Sequence, residues 1–312
     1  MKLAFFDEFR LGVVVQNQIF DITEELRDVP RRGPEDLMPL LIERFADYRG
    51  RIEAVVARTP GVDLSQVRLR APLPKPANIV CMAVNYDDGL VPSSHTNAFH
   101  KTPSAIIGPG DTMVLPDVPA VVFEGEAEIA VVIGKRASHV PVDKAMDYVF
   151  GYVNFIDGSA RGLPPATDKF FVVKSRETFA PIGPYIVTRD EIADPQNLRI
   201  RLSVNGEIKQ DFNTKKMITD IKNSIAWLSA MQTLMPGDII ATGTDHCGLN
   251  AFQDGDVVEL EAEGLGVLSI KIKDELKRTW SRETRIERHN KGHSNTAAPQ
   301  LSGKYAEIAK TT

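Results

Sequence analysis

The chain has 312 residues, of which 43% are hydrophobic and 25% charged, so its composition is that of a globular protein and not of a disordered or fibrous one. Its net charge of −5 argues against a nucleic-acid-binding surface over the whole chain. No run approaches the ~20 apolar residues of a membrane helix, and acidic residues interrupt the N-terminus where a signal peptide needs an apolar core. A cytoplasmic protein is therefore expected.

Residues 1–70 predict a small N-terminal α+β domain. Strand patterns cover residues 2–6, 11–15 and 18–22. Apolar residues between positions 37 and 55 recur at three- and four-residue spacings, which predicts one helix with a single apolar face. The proline-rich segment APLPKPAN then suits an extended connector, so we place a domain boundary between residues 70 and 71.

Residues 71–277 predict a second, β-rich domain. Strand patterns dominate from residue 79 to about residue 273, and PGD and DGD turns separate them. Helical patterns are few, chiefly at 143–148 and 219–228, which is too sparse for the strand–helix alternation of a doubly wound sheet. Residues 278–312 are polar and without periodicity, so they predict an extension that wraps the surface or a partner subunit, and their basic run is typical of a solvated face.

The strand FEGEAEIAVVIG places three glutamates, Glu124, Glu126 and Glu128, at alternate positions and therefore on one face. Their mutual repulsion grows where the dielectric falls, so an offsetting positive charge is expected. A second apolar strand ends in Asp157, which with Glu126 and Glu128 makes an all-oxygen set suited to Mg²⁺ or Mn²⁺. From spacing alone, solvated surface glutamates and a turn aspartate stay open as alternatives.

Several motifs occur in a fixed order between residues 79 and 273, namely NIVCMAVNY, TPSAIIGPGD, EGEAEIAVVIGK, DYVFGYVNFIDGSAR, KSRETFAPIGPYIVT, LRIRLSVNGE and PGDIIATGT. Together they resemble the fumarylacetoacetate hydrolase family. The resemblance implies a mixed β-roll or β-sandwich catalytic domain behind the small N-terminal domain, usually in a homodimer. It also implies a metal-dependent hydrolase that acts on carbon–carbon bonds of ketonic compounds in aromatic catabolism.

The same resemblance implies roles for individual residues. The family's metal ligands fall on Glu126, Glu128 and Asp157, which leaves Glu124 beside the site or at the surface. The family's catalytic lysine falls on Lys174, for which the local alternative is a surface strand charge. Its substrate contacts fall on Tyr86, Arg161, Lys174 and Thr244. Local sequence alone would make Thr244 a turn residue.

The chain departs from the family pattern at the catalytic base. Gly89 stands where many members have the histidine of a base dyad. Fumarylacetoacetate hydrolase itself has a metal-binding aspartate seven residues before its catalytic histidine, and Asp88 and His95 have that separation. His95 is therefore the predicted base, and the loop-like segment 89–100 is a predicted lid over the substrate. The alternative is a histidine on a mobile loop.

A second departure is Gly162, where the family commonly has an aspartate that would neighbour Arg161. Outside the family motifs, His246 beside Cys247 suggests a thiol nucleophile, but the sequence offers no third partner, so we reject it. Cys81 and Cys247 are too few for a disulfide framework and are predicted to be free thiols.

The leading function is hydrolysis of a carbon–carbon bond in a 2-oxo or 1,3-dicarbonyl acid of the fumarylacetoacetate or acylpyruvate type. A Lewis acid suits this reaction because it stabilises the departing enolate. The alternative is hydration, isomerisation or decarboxylation of a 2-oxo acid through the same enolate, and a third possibility is a metal-braced binding protein without activity. The expected partners are a small oxo-acid substrate and a second copy of the chain, with no nucleic acid and no membrane.

Overall fold

The computed structural model describes residues 1–90, 95–163 and 170–307. Its strands are β1 (Lys2–Phe6), β2 (Arg10–Val15), β3 (Gln18–Asp21), β4 (Val62–Asp63), β5 (Leu69–Arg70), β6 (Ile79–Ala83), β7 (Asn97–Lys101), β8 (Ile106–Ile107), β9 (Thr112–Val114), β10 (Val122–Ile133), β11 (Val149–Arg161), β12 (Ala180–Thr188), β13 (Arg199–Val204), β14 (Glu207–Asn213), β15 (Ile239–Ala241), β16 (Val257–Ala262), β17 (Val267–Lys273), β18 (Thr279–Trp280) and β19 (Gln300–Ser302). Its α-helices are α1 (Pro34–Glu43), α2 (Phe45–Arg58), α3 (Phe170–Lys174), α4 (Ile221–Met231) and α5 (Arg285–Asn290).

A large sheet is built around the long antiparallel pair β10 and β11. Its strands follow the order β4-β3-β2-β1-β12-β11-β10-β15-β6-β7, with β5 paired to β1 and β8 paired to β12. A five-stranded sheet in the order β14-β13-β16-β17-β9 lies beside it, and β18 pairs with β19. Strands therefore outweigh helices, and the predicted β-rich α+β class is confirmed.

The large sheet is covered on both faces, which is why the second half of β10, residues 129–133, is apolar on both sides. On one face, Ile129 and Val131 of β10 share a core with Leu260 of the five-stranded sheet. On the other face, Val132 of β10 shares a core with Leu41 of α1. Each β10 face thus has its own apolar layer, and the polar residues of this strand lie at its other end.

The N-terminal segment has the predicted strands, but the single helix predicted over residues 37–55 is wrong. The chain leaves helical geometry at Arg44, where φ is −113° and ψ is 20°, so α1 and α2 are separate helices. Strand β1 pairs with β12 as well as with β2, so hydrogen bonding crosses the predicted boundary at residue 70, and that boundary stays a prediction. Within the described ranges, no helix is long and apolar enough to cross a membrane.

The C-terminal segment packs on its own chain more closely than its composition predicts. Trp280 is buried, and its indole N–H donates to the carbonyl of Val121 at 2.7 Å. Helix α5 begins with a capping box in which Thr284 and Glu287 satisfy each other's backbone N–H groups. Arg278 is 1% exposed. The prediction that this basic run is a solvated face is therefore wrong, because several of its cations have buried partners.

Candidate metal centre

Strands β10 and β11 bring the three predicted ligands together. Glu126 stands opposite Asp157 in the antiparallel register, and Glu128 follows two residues later on the same face. All three side chains are buried, and one carboxylate oxygen from each lies within 4.8 Å of the others. The structure thus gathers Glu126, Glu128 and Asp157 into one site, as predicted, and rules out the alternative of solvated surface glutamates.

Two buried lysines neutralise Asp157. Lys101 Nζ lies 2.5 Å from one carboxylate oxygen, and Lys174 Nζ lies 2.6 Å from the other. Lys174 also lies 2.8 Å from Glu126 Oε1, and it ends helix α3 in the interior, so the alternative of a surface strand charge is wrong. Sequence reasoning missed Lys101. The available signal was a lysine that closes the short strand NAFHK.

Glu124 forms ion pairs with two arginines. Arg161 Nε lies 2.5 Å from its Oε2, and the Arg285 guanidinium donates to both of its oxygens at 2.6 and 3.1 Å. Arg161 also contacts Glu126. Glu124 is 1% exposed, so of its two predicted placements the one beside the site is correct. Arg161 is thus well paired although Gly162 supplies no carboxylate.

Glu128 differs because no cation among the described residues contacts it. Its Oε2 accepts a hydrogen bond from the backbone N–H of Gly243 at 2.6 Å. Burial, reinforced by the charges of Asp157 and Glu126, raises the pKa of Glu128 well above its usual range. Burial would also raise the pKa of Glu126, but the charges of Lys174 and other cations outweigh it and lower that pKa.

The donor set therefore fits a divalent cation. Three carboxylate oxygens are the ligands that hard cations prefer. The protein's own cations neutralise Glu126 and Asp157, whereas the buried Glu128 lacks such a partner. A bound Mg²⁺ or Mn²⁺ would supply the missing positive charge, with Glu126, Glu128 and Asp157 holding it.

The loop that follows β15 runs along β10 and carries Thr244. The Thr242 backbone N–H donates to the carbonyl of Ile129 at 3.1 Å, and the Thr244 hydroxyl donates to the carbonyl of Ala127 at 2.8 Å. Gln210 donates to the Thr244 hydroxyl at 2.9 Å. Thr244 thus ties the loop to the ligand strand, and its predicted contact with substrate stays a prediction.

Asp88 forms a side-chain hydrogen bond with His246. Asp88 Oδ2 lies 2.6 Å from His246 Nδ1 and also accepts the His246 backbone N–H at 3.1 Å. The Asp88 side chain is fully buried, and that of His246 is 10% exposed. Sequence reasoning missed this pair because its members lie 158 residues apart and no local pattern links them.

Cys247 has an inert environment. Its thiol donates to the carbonyl of Asp88 at 3.3 Å, and burial is the main cause that raises its pKa to about 12. A thiolate is therefore strongly disfavoured, which agrees with our rejection of a thiol nucleophile. Cys81 and Cys247 are both free, as predicted.

The remaining predicted residues lie around this centre. His95 is exposed and directly follows residues 91–94, which lie outside the described residues. Residues 97–101 form β7 paired to β6, so the predicted lid is wrong for that part, because these residues alternate along a sheet edge. Tyr86 is fully buried with its ring edge-on to Phe212 at 5.1 Å between centroids, and burial raises the pKa of its hydroxyl. The roles of His95 and Tyr86 stay predictions.

Comparison with known proteins agrees with this geometry. The family model described as fumarylacetoacetate (FAA) hydrolase C-terminal matches residues 78–273. A maleylpyruvate hydrolase from Aquipseudomonas alcaligenes is 34% identical over 88% of this chain and 99% of its own length. The rat protein named oxaloacetate tautomerase Fahd2a, mitochondrial, is 40% identical over 70% of this chain and 74% of its own length.

A solved structure shares most of the fold. Maleylpyruvate hydrolase from Sphingobium sp. SYK-6, crystallised with manganese(II) and pyruvate, superposes with a TM-score of 0.80 at 38% identity, covering 88% of this chain and 99% of that one. The matched family region contains every member of the carboxylate set, and the Aquipseudomonas relative, 34% identical, is covered over 99% of its length. The chain therefore belongs to the fumarylacetoacetate hydrolase family.

Proposed function

We propose that this protein is a divalent-metal-dependent hydrolase that cleaves the carbon–carbon bond between the two carbonyl-bearing halves of an acylpyruvate. The observation that carries the proposal is the buried set of Glu126, Glu128 and Asp157, whose oxygens lie within 4.8 Å of one another. The likeness to two maleylpyruvate hydrolases, one of them crystallised with manganese(II) and pyruvate, supports it.

The bound cation would act as a Lewis acid that polarises the oxo-acid oxygens and favours the enolate over the intact substrate. The protein's own residues hold the substrate in place. The Arg161 guanidinium contacts Glu126, and a quarter of its side chain is exposed. A guanidinium in that position suits the carboxylate of an oxo acid, to which it can donate two parallel hydrogen bonds.

Lys174 has a second role in this proposal. Its ammonium group bridges Glu126 and Asp157, and these charges raise the pKa of Lys174 although burial alone would lower it. Lys174 therefore stays protonated at neutral pH. It keeps two metal ligands ionised and orients them, and it can donate a hydrogen bond to the substrate once a cation shares its carboxylates.

The alternative is isomerisation, hydration or decarboxylation of a 2-oxo acid. The observation that favours it is the 40% identity to the rat protein named oxaloacetate tautomerase. Both reactions pass through the same enolate. They differ in whether water attacks the second carbonyl carbon.

A substrate panel separates these reactions. We would incubate the protein with Mg²⁺ or Mn²⁺ and with acylpyruvates, fumarylpyruvate, 2-oxo-dienoates or oxaloacetate, and follow the products by NMR. Hydrolysis predicts pyruvate and a carboxylic acid in equal amounts from an acylpyruvate. Enol–keto interconversion or decarboxylation of oxaloacetate without any acylpyruvate cleavage would establish the alternative.

Two variants identify the site in the same assay. Glu128→Ala should abolish turnover and metal binding, whereas Glu259→Ala, on the exposed face of β16, should leave both unchanged. Full activity after exhaustive chelation, with no metal found by elemental analysis, would refute metal dependence. Calorimetric titration with each cation in turn decides between Mg²⁺ and Mn²⁺.

The predicted homodimer belongs to this proposal as well. Light scattering at micromolar protein should report about twice the 34.4 kDa chain mass. A monodisperse species of one chain mass would refute the dimer.

A further inference from the structure

The loop after β15 carries His246 to the ligand strand. Thr242 hydrogen-bonds to Ile129, and two residues later Thr244 hydrogen-bonds to Ala127, so the loop runs antiparallel to β10. Between them, the Gly243 backbone N–H donates to the Glu128 carboxylate at 2.6 Å, and His246 follows three residues later on the same loop.

Asp88 holds the imidazole in one orientation. Its Oδ2 lies 2.6 Å from His246 Nδ1, and its Oδ1 accepts the Leu90 backbone N–H at 2.8 Å. A carboxylate only accepts hydrogen bonds, so Nδ1 carries the proton and the lone pair of the neutral ring lies on Nε2. Among the residues that the structure describes, none hydrogen-bonds Nε2, although the side chain is nine-tenths buried.

We propose that His246, oriented by Asp88, is the proton-transfer residue of this site and that Asp88 is its positioning residue; this rests on the proposed function. His246 Nε2 accepts a proton from water as the water oxygen bonds to the second carbonyl carbon. The carbon–carbon bond then breaks, and its electron pair passes to the pyruvate half as an enolate. The protonated ring returns its proton to the carbon of that enolate. The hydroxyl group of the water thus ends in the carboxylic acid, and its proton ends in pyruvate.

This arrangement differs from the sequence prediction for His95. His246 is buried and hydrogen-bonded to a buried carboxylate, whereas His95 is exposed. An imidazole held by a buried carboxylate loses little further entropy on reaching a reactive geometry.

Kinetics of matched variants test the assignment. His246→Asn should lower kcat for a cleavable acylpyruvate by the ~10²- to 10⁴-fold typical of a lost acid–base group, with KM and Mn²⁺ affinity little changed. His293→Asn makes the same chemical change at an exposed position and should match the wild type. Normal kcat in His246→Asn, or a comparable loss found in His95→Ala instead, would overturn the proposal.

The positioning role of Asp88 is tested by a property that a merely structural residue would not change, namely the tautomer of His246. In metal-free protein labelled with ¹⁵N-histidine, NMR should show His246 as the Nδ1–H tautomer, and Asp88→Asn should shift it toward Nε2–H while Asp88→Glu restores it. The kcat of the two variants should follow the tautomer. An Nε2–H tautomer in the wild type would contradict the proposal whatever the activity.

Hydrogen exchange distinguishes this proposal from the proposed function. If the wild type cleaves no acylpyruvate, the hydrolase fails, but exchange of the C3 hydrogens of pyruvate or oxaloacetate in D₂O still reports proton transfer to the enolate. Loss of that exchange in His246→Asn supports the dyad without hydrolysis, and unchanged exchange refutes it. If the wild type shows no exchange either, the tautomer of His246 in the metal-free protein decides whether the proposal holds.

Discussion

The two ends of the carboxylate row on β10 are equally buried but are neutralised in opposite ways. Glu124 and Glu128 are each 1% exposed and lie on the same strand face, four residues apart. Arg161 and Arg285 enclose Glu124, whereas Glu128 accepts a hydrogen bond from the neutral Gly243 N–H. Burial is the same at both ends, so the difference between them comes from charge.

This comparison separates a structural carboxylate from a functional one. A buried ion pair that the chain completes by itself holds elements together, here the helix α5 against β10 and β11. A buried carboxylate without a cation of its own raises the free energy of the folded protein unless it takes up a proton or a metal ion. Binding of an external cation therefore stabilises the protein most at the Glu128 end.

The largest effect is expected at the Glu128 end. Glu128→Gln keeps the shape of the side chain and its acceptor for Gly243, so the metal-free fold should survive. Metal affinity should fall by more than the ~10- to 100-fold that the loss of a neighbour of the ligands costs, and turnover should fall with it. Calorimetry with Mn²⁺ and an activity assay measure both. Wild-type affinity in Glu128→Gln would show that the ligand set is wrong.

The opposite outcome is expected at the Glu124 end. Glu124→Gln leaves Arg285 without its charge partner and should lower the free energy of unfolding by about 3 kcal/mol, as measured by urea denaturation. Mn²⁺ affinity per folded molecule should change little. The control is Glu261→Gln, which breaks a half-exposed pair with Arg201 and should cost less than about 1 kcal/mol. Equal losses in the two variants would remove the distinction between the pairs.

A smaller loss is expected when one of the two arginines is removed. Arg285→Met keeps much of the side-chain volume, and Glu124 retains Arg161, so the free energy of unfolding should fall by about 2 kcal/mol. Lys291→Met, which breaks the exposed pair with Glu283, is the matched control in the same segment. If both variants lowered the free energy of unfolding equally, the contact of the C-terminal segment with Glu124 would not stabilise the fold.

The smallest effect is the contribution of Glu128 to the pH dependence of stability in metal-free protein. Its pKa is raised above 4.5, so the folded state keeps a proton that the unfolded state releases, and stability falls as pH rises from about 4.5 toward the raised pKa. The slope for one proton is at most about 1.4 kcal/mol per pH unit. Urea denaturation in EDTA at a series of pH values measures it.

Glu128→Gln is the control for that slope, because it removes this titration and leaves the other carboxyls in place. Glu124 and Glu126 have lowered pKa values, so the stability they contribute is present above 4.5 and is lost only as pH falls below it. Their window therefore does not overlap that of Glu128. Identical slopes above pH 4.5 in the wild type and Glu128→Gln would contradict the raised pKa.

Local sequence was enough to predict the ligand strand and its face. Side chains alternate with period two, so Glu126 and Glu128 could be assigned to one face from the spacing. An apolar strand predicted to end at Asp157 completed the set, although β11 continues to Arg161. The motif order from residue 79 to residue 273 identified the family, and the free cysteines followed from their number. Each of these conclusions depends only on residues that are near one another in the chain or on their order.

The tertiary structure alone decided which charges meet these carboxylates. Lys101 and Arg285 approach from β7 and α5, and Asp88 meets His246 across 158 residues. The periodicity of the sequence does not predict such contacts, because they depend on strand register and on how loops cross the sheet. The seven-residue spacing of Asp88 and His95 did not indicate the contact between Asp88 and His246, and the role of His95 stays a prediction. Separation along the chain therefore does not predict which polar side chains meet. Buried polar groups are stabilised by the partners that the folded sheet brings to them, however far apart these lie in the sequence.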